Sequence, residues 1–253
     1  MPYSLWPVSR TRPAEGRAAV PQGTRVFAVG DIHGRTDLLD ALHAAIEADV
    51  AQSRPAEGKI IYLGDYVDRG PDSAGVLDRL LRKSPAGLER LLLKGNHEDI
   101  LERFLAEPEA MAGWCRLGGI QTMISYGVDV ELEAARGGVR ALARALRDRI
   151  PRDHLDMLGS LRTSASVGGY FFCHAGVRPG FALEQQLSRD LMWIRDEFLS
   201  SEADFGKVVV HGHTPVRDPE ILSNRINIDT GAYRSGRLTC AVLEGTDIRL
   251  IAT

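Results

Sequence analysis

Arg25-Val26-Phe27-Ala28-Val29-Gly30-Asp31-Ile32-His33-Gly34 decides the reading of this chain: five residues of strand character run into a glycine-bounded Asp-x-His. A continuous apolar run, rather than alternation, suits a strand covered on both faces. Asp31 and His33 stand two apart, so on an extended segment their side chains point the same way. The pattern recurs. Lys59-Ile60-Ile61-Tyr62-Leu63 leads into Gly64-Asp65-Tyr66-Val67-Asp68-Arg69-Gly70, and Arg90-Leu91-Leu92-Leu93-Lys94 into Gly95-Asn96-His97-Glu98. Tyr170-Phe171-Phe172-Cys173 precedes His174-Ala175-Gly176, and Lys207-Val208-Val209-Val210 precedes His211-Gly212-His213-Thr214-Pro215. Each patch brings oxygen or nitrogen ligands to a place where a buried strand gives way to a loop. A lone aspartate after a strand is ordinarily a turn or a helix cap; five patches in this order read as a two-metal hydrolytic centre built on a sheet.

The segments between the patches set the architecture. A helix is expected from Thr36 to Gln52, with Leu38, Leu39, Leu42, Ala45, Ile46 and Val50 on one stripe. A second follows Pro71 and Asp72, with Val76, Leu77, Leu80 and Leu81 similarly spaced. Strand–helix–strand–helix–strand implies right-handed crossovers and a partly parallel sheet. Residues 98–161 read as a mostly helical insertion, a cap beside the site, interrupted at Gly118-Gly119 and Gly137-Gly138, with Pro151 opening its last helix. Strand patterns return at residues 170–173, 207–210, 225–228 and 238–243, with an edge strand over 247–251. These late strands suggest a second, mixed or antiparallel sheet. Residues 1–23, with four prolines and no periodicity, are expected to be a flexible lead-in to a single domain spanning 24–253.

Composition bounds the function. The chain has 253 residues, 44% hydrophobic and 26% charged, and a net charge of −3. No extended nucleic-acid surface is expected from that charge, and no apolar run is long enough to span a bilayer. Cys115, Cys173 and Cys240 are odd in number and unrelated in spacing, which suggests reduced thiols in a cytoplasmic protein. The N-terminus lacks the apolar core of a secretory signal. Nothing in the sequence fixes an oligomeric state. Asp31, His33, Asp65, Asn96, His174 and His213 form an oxygen-and-nitrogen ligand set without thiolate. Such a set disfavours a closed structural zinc site and suits two divalent cations, manganese first, with iron or zinc as alternatives. His43, within a helix, and His154, in a polar helical stretch, read as structural.

The motifs GDIHG, GDYVDRG and GNHE, completed by HAG and HGHTP, resemble those of the phosphoprotein phosphatase (PPP) family of metallophosphatases. Trp114-Cys115-Arg116-Leu117-Gly118-Gly119 and Ile124-Ser125-Tyr126-Gly127 resemble its short bacterial and phage branch, which includes lambda phosphatase. The resemblance implies an α/β (α+β) fold of the calcineurin-like, four-layer kind: a central β-sandwich of mixed sheets flanked by helices, with a helical cap insertion. It implies Asp31 and His33 on one metal, Asp65 bridging, and Asn96, His174 and His213 on the other. It further implies His97 as general acid, Asp68 as the carboxylate that orients it, and Arg69 and Arg195 as phosphate clamps. His211 and Tyr233 are placed behind or beside these ligands, and packing is an equal reading for both. Pro215 stands where wider metallophosphoesterases carry another histidine, and Arg35 where many bacterial relatives carry cysteine. The function expected from the resemblance is a serine/threonine protein phosphatase, extending to phosphotyrosine, acting on phosphorylated proteins or peptides by in-line attack of a metal-bridging hydroxide. The alternative is a hydrolase of dinucleoside polyphosphates. A catalytically inactive metal- or phosphate-binding module would be expected to have lost a ligand or the acid, and none is missing.

Overall fold

Strand, helix and strand alternate through the first third of the chain as the pattern predicts. A computed structural model describes residues 18–52, 55–82 and 84–253. The order is β1 (Thr24–Val29), α1 (Thr36–Gln52), β2 (Glu57–Tyr62), α2 (Ser73–Leu81), β3 (Glu89–Leu92) and α3 (Asn96–Ala106). The insertion continues with α4 (Gly119–Ser125), α5 (Val130–Arg147) and α6 (Arg152–Ser160). Then come β4 (Ser164–Val167), β5 (Tyr170–Cys173), α7 (Ser188–Trp193), α8 (Asp196–Leu199), β6 (Val208–His211), β7 (Glu220–Ile221) and β8 (Arg225–Asn227). The last elements are α9 (Ala232–Ser235), β9 (Thr239–Glu244) and β10 (Asp247–Ala252).

Two five-stranded mixed sheets result, ordered β10-β9-β1-β2-β3 and β4-β5-β6-β8-β7. β1, β2 and β3 are mutually parallel, as are β5, β6 and β8; antiparallel strands finish both edges of the second sheet and one edge of the first, where β3 forms the other. The sequence pattern grouped all late strands in a second sheet, and the structure corrects this. β9 crosses back to pair with β1, and β10 with β9, so the chain's last strands complete the first sheet.

Successive side chains of a strand face opposite ways, so each central strand feeds two cores. Val26 and Ala28 of β1 pack between the sheets with Tyr170, Phe172, Val208 and Val210. Phe27 and Val29 face the helices with Leu38, Leu39, Leu42 and Ile46 of α1. Full burial of each such aliphatic side chain contributes roughly 1.5–3 kcal/mol. A third cluster joins Phe171, Cys173 and Val209 to Leu191, Ile194 and Phe198 on the outside of the second sheet. The layers are therefore helices, sheet, sheet, and short helices.

The lead-in expected over residues 1–23 lies outside the described residues as far as residue 17. Beyond that point the chain ties the two sheets together at one edge. Val20 N–H donates to Gly245 O at 3.0 Å in the first sheet, and Gly169 N–H in the second donates to Ala19 O at 2.8 Å. Ala18 and Val20 are buried in the inter-sheet core.

Candidate metal centre

Strand ends of both sheets converge here. β1 delivers Asp31 and His33, β2 delivers Asp65, the start of α3 delivers Asn96 and His97, β5 delivers His174, and β6 delivers His213. All seven are at most 5% exposed. Their backbone is unusual as well. His33, Asp65, Asp68, Arg69 and His213 have φ of 47°, 53°, 73°, 66° and 67°, a left-handed region that non-glycine residues seldom occupy. Of the described residues only Ala86 joins them among non-glycines. Local strain of this kind persists where the surroundings impose it, and it clusters at functional sites.

Interlocked loops impose it here. Ile32 and His33 N–H both donate to Asp65 O, Gly34 N–H donates to Tyr66 O, and Asp72 N–H returns to Gly34 O. Gly70 sits against this junction so closely that a Cβ would lie 2.0 Å from His33 O. Glu98, fully buried, locks the β2 loop to α3. Its carboxylate accepts from the N–H groups of Asp65 (2.9 Å), Gly95 (3.0 Å), Tyr66 (2.8 Å) and Val67 (3.2 Å). The Gly95 bond lets Glu98, at the third position of α3, satisfy the backbone N–H of the glycine that caps the helix.

Hydrogen bonding sets the tautomers. His33 Nδ1 is 2.8 Å from Val67 O and His174 Nδ1 is 3.0 Å from Leu63 O, so each donates there and turns the Nε2 lone pair inward. Arg69 donates to His33 Nε2 at 3.2 Å, which fits that assignment. His174 Nε2, Asn96 Oδ1 and His213 Nδ1 then lie within 3.1 Å of one another, and His213 Nε2 has no partner. Three electron-rich atoms at such separations have too few protons between them, a deficit that a cation makes good. Asp65 stands between two groups of ligating atoms, each mutually within 4.8 Å: His33, Asp65 and His97, and Asp65, His174 and His213. Its Oδ2 is 3.4 Å from His33 Nε2 and its Oδ1 is 3.3 Å from His174 Nε2.

Charge points the same way. Burial pushes the Asp31 carboxyl well above the usual range, and Asp229 and Asp65 add to this by repulsion. Asp229 is raised as well, chiefly by burial. Burial also pushes Asp65 upward, but His174, His97 and His33 outweigh it and hold it well below the ordinary value. Burial lowers His33 to about 3, and burial with His174 nearby lowers His213 to about 2. Neutral imidazoles and crowded carboxylates are what cation binding requires. The donor set therefore fits two divalent cations. Asp31, expected on the first metal, has its carboxylate turned to the N–H of His213 (3.1 and 3.3 Å) and stands outside both groups among the described residues.

His97 meets the His33 ring edge-on at 4.7 Å but differs from the centre's other imidazoles in having a carboxylate partner on Nδ1. Its Nδ1 donates to Asp68 Oδ2 at 2.6 Å, while Trp114 Nε1 donates to the same oxygen at 2.7 Å and Thr122 Oγ1 to Oδ1 at 2.6 Å. Burial pulls His97 down, but Asp65 and Asp68 overcome it, and its pKa stands above the ordinary value. Arg69 lies over the Tyr233 ring at 4.9 Å, and its N–H bonds Gly118 O in the cap. Arg195 is exposed and donates to Thr214 Oγ1 at 3.1 Å beside His213. His211 points away from the centre. Its ring meets Phe198 edge-on at 5.0 Å, and burial lowers it to about 3. His43 bonds Tyr62 Oη at 2.7 Å, and His154 contacts Tyr126 and Asp78; neither belongs to the two ligand groups.

Sequence reading missed Trp114, Thr122, Glu98 and Asp229 as parts of this centre. Asp229 had a signal, since Ile226-Asn227-Ile228-Asp229-Thr230-Gly231 repeats the strand-then-glycine form of the five patches. Thr122 had none, and Trp114, although part of the stretch that resembles the bacterial and phage branch, had nothing to tie it to Asp68 until the fold brings both there.

Residues 24–252 match the family model of calcineurin-like phosphoesterases. The chain is 26% identical over 229 residues to the bis(5'-nucleosyl)-tetraphosphatase (asymmetrical) PrpE of Anoxybacillus flavithermus, covering 83% of this chain and 87% of that protein. The PrpE tetraphosphatase of Bacillus velezensis is also 26% identical, over 83% and 86%. Among solved structures, one described as a candidate diadenosine tetraphosphatase superposes with a TM-score of 0.61 at 22% identity, covering 93% of this chain and 98% of that one. A cold-active protein-tyrosine phosphatase of a psychrophilic Shewanella gives 0.51 at 17%, over 91% and 80%. The structural likenesses bear on the fold alone. The curated relatives overturn the expected phosphoprotein substrate in favour of the dinucleotide alternative. The reason is physical. The five motifs converge on one buried cluster of Asp, Asn and His side chains, and none of them reports on the group attached beyond a phosphate.

Proposed function

Because the chain belongs to the calcineurin-like phosphoesterase family, we propose that it hydrolyses dinucleoside polyphosphates, cutting the phosphate bridge off-centre into a mononucleotide and a longer nucleotide. One observation carries this reading: the match to asymmetrical tetraphosphatases runs nearly end to end in both proteins. The resemblance to the lambda-phosphatase branch is not needed for it. The stretch that suggested that branch, Trp114 to Gly119, here positions Asp68 and Arg69.

Two divalent cations, manganese the first candidate, would be held by His33, Asp65, Asn96, His174 and His213, with Asp31 adding its nearby charge. Bound there, they would supply an acidified water and neutralise phosphate oxygens. The chain's own residues do the rest. Arg69 and Arg195 flank the centre and can each contact two phosphate oxygens through a planar guanidinium. Water adds to one phosphorus as the bridging P–O bond opposite it breaks. The departing nucleotide then takes a proton from His97 Nε2, whose other nitrogen Asp68 fixes. Glu98 and the interlocked loops hold these groups in place. Free Cys115, Cys173 and Cys240 suit a cytoplasmic site of action, and no helix among the described residues is long and apolar enough to cross a membrane.

The test is side-by-side turnover of diadenosine tetraphosphate and a phosphoserine peptide with Mn²⁺. Preference for the dinucleotide by orders of magnitude, with AMP and ATP as products, is expected. Preference for the peptide, or two equal products, would overturn the reading.

A further inference from the structure

The dimetal centre is flanked by two aromatic side chains in unlike states. Tyr233, beside His33, is engaged: the Arg69 guanidinium covers its ring and His33 meets it edge-on at 5.4 Å. Trp193, beside His213, is free on its outer side. It is 36% exposed although it ends a helix whose neighbours Leu191 and Met192 are buried, and its ring centroid is 6.4 Å from that of His213. It forms one wall of a cavity of about 860 Å³, completed by Met192, Arg189, Asp99 and Arg103.

The placement of this cavity matters more than its size. Asp99 and Arg103 are one turn apart on α3, the helix whose first residues are Asn96 and His97. The cavity therefore lies beside the centre, next to His213 through Trp193, and extends along α3 by about 5.4 Å per turn. Arg189 makes no hydrogen bond or close ion pair among the described residues: it acts on the adjacent Asp190 only at a distance, and Arg178 takes that carboxylate at 2.8 and 2.9 Å. An exposed indole, a thioether floor, an unpaired guanidinium and a carboxylate able to accept from a hydroxyl or amine suit a nucleoside. Base–aromatic stacking tolerates any base, and arginine reinforces it.

The opposite side differs in chemistry. Arg69 and the exposed Arg116 line a second cavity of about 430 Å³ with Tyr233, Leu117 and Gln121. Arg116 has no partner among the described residues. Two guanidiniums beside an already occupied ring suit successive phosphates better than a base. We propose that Trp193 seats the nucleoside of the mononucleotide that is released, and that the remaining phosphates run past Arg69 towards Arg116. This rests on the dinucleotide reading for its biological meaning. It fixes the direction in which an off-centre substrate lies.

The test uses inhibition of para-nitrophenyl phosphate hydrolysis by the Mn²⁺-loaded full chain, which does not depend on the dinucleotide being cleaved. Inhibition constants for AMP and for inorganic phosphate are compared, so that the nucleoside's contribution is their ratio. In the wild type AMP binds more tightly than phosphate. Trp193→Ala is expected to reduce that advantage about tenfold, the scale of one lost stacking contact. Trp193→Phe restores most of it, and Arg116→Ala leaves it intact. An equal AMP advantage in wild type and Trp193→Ala overturns the proposal, as does its loss in Arg116→Ala instead. A Trp193→Ala change that weakens phosphate and AMP in equal proportion also overturns it, since the residue would then only support His213. Failure to turn over diadenosine tetraphosphate, with the AMP ratio behaving as stated, would sink the dinucleotide reading and leave the nucleoside seat standing.

Discussion

Asp65 and His97 are adjacent in the site and differ in consequence. Asp65 faces both groups of ligands, so Asp65→Asn is expected to abolish metal occupancy and turnover together, measured by metal analysis beside a rate assay. His97→Asn should keep the metals and lose about 10²–10⁴ in kcat on substrates whose leaving group needs a proton. An alkoxide needs that proton more than a nucleotide phosphate does. The loss should therefore be smaller for diadenosine tetraphosphate than for phosphoserine, and an equal loss would refute the acid role. The pH profile carries a sign. His97 is held above its ordinary value mainly by Asp65 and Asp68, so its protonated form persists as pH rises and activity falls only above its raised pKa. Asp68→Asn removes one of those supports, and the alkaline limb of kcat/KM should move to lower pH.

At the scale of elements, the site depends on loops that lock to each other before they hold anything else. Gly70 shows this, because a methyl group there would meet His33 O at 2.0 Å. Backbone on both sides would have to move. Gly70→Ala should lower the melting temperature and weaken metal binding together, whereas a purely local clash would affect stability alone. Gly159 is the contrast: it lies on the exposed face of α6, and a Cβ there meets nothing within 4 Å. Gly159→Ala should stabilise by about 0.5–1 kcal/mol through backbone entropy, read by denaturant titration, with turnover unchanged. The cap is not an ornament to the sandwich either. Trp114 and Thr122 reach Asp68 from 46 and 54 residues away, so the insertion fixes the carboxylate that holds His97.

For the whole molecule, the ligands form a pool of buried charge that cations resolve. Mn²⁺ bound only to the folded state at a hundred times its dissociation constant would add about 2.7 kcal/mol per site; EDTA should remove this as a drop in melting temperature. Without metal, acid should destabilise the fold between about pH 6.5 and 3. Burial holds His43 near 4 and His33 and His211 near 3, whereas unfolded histidines protonate near 6.5. Stability from these neutral imidazoles is complete above the unfolded value and is lost as pH falls towards the folded ones. Asp31 and Asp229 run the opposite way: raised in the fold, they cost stability as pH rises through their folded values. The gain from Mn²⁺ should accordingly be larger at pH 7.5 than at pH 5.5, as calorimetry at both values would show. A gain independent of pH would mean that these carboxylates do not face the cations.

The sequence by itself determined the strand-end chemistry, since glycine-bounded Asp, Asn and His after buried runs are legible wherever they fall, and with it the layered α/β class. Whether 238–243 belongs to the first or second sheet was not legible, because a strand covered on both faces has the same apolar run beside any neighbour. The supports of His97 were hidden for a related reason: tryptophan and threonine have ordinary local readings, and only the cap's folding turns Trp114 and Thr122 onto one carboxylate. Which group beyond the phosphorus is accepted was hidden more deeply. That choice rests on Trp193, Arg189, Arg103 and Arg116, brought round one centre from three separate segments, and proximity between distant segments is a property that tertiary packing alone creates.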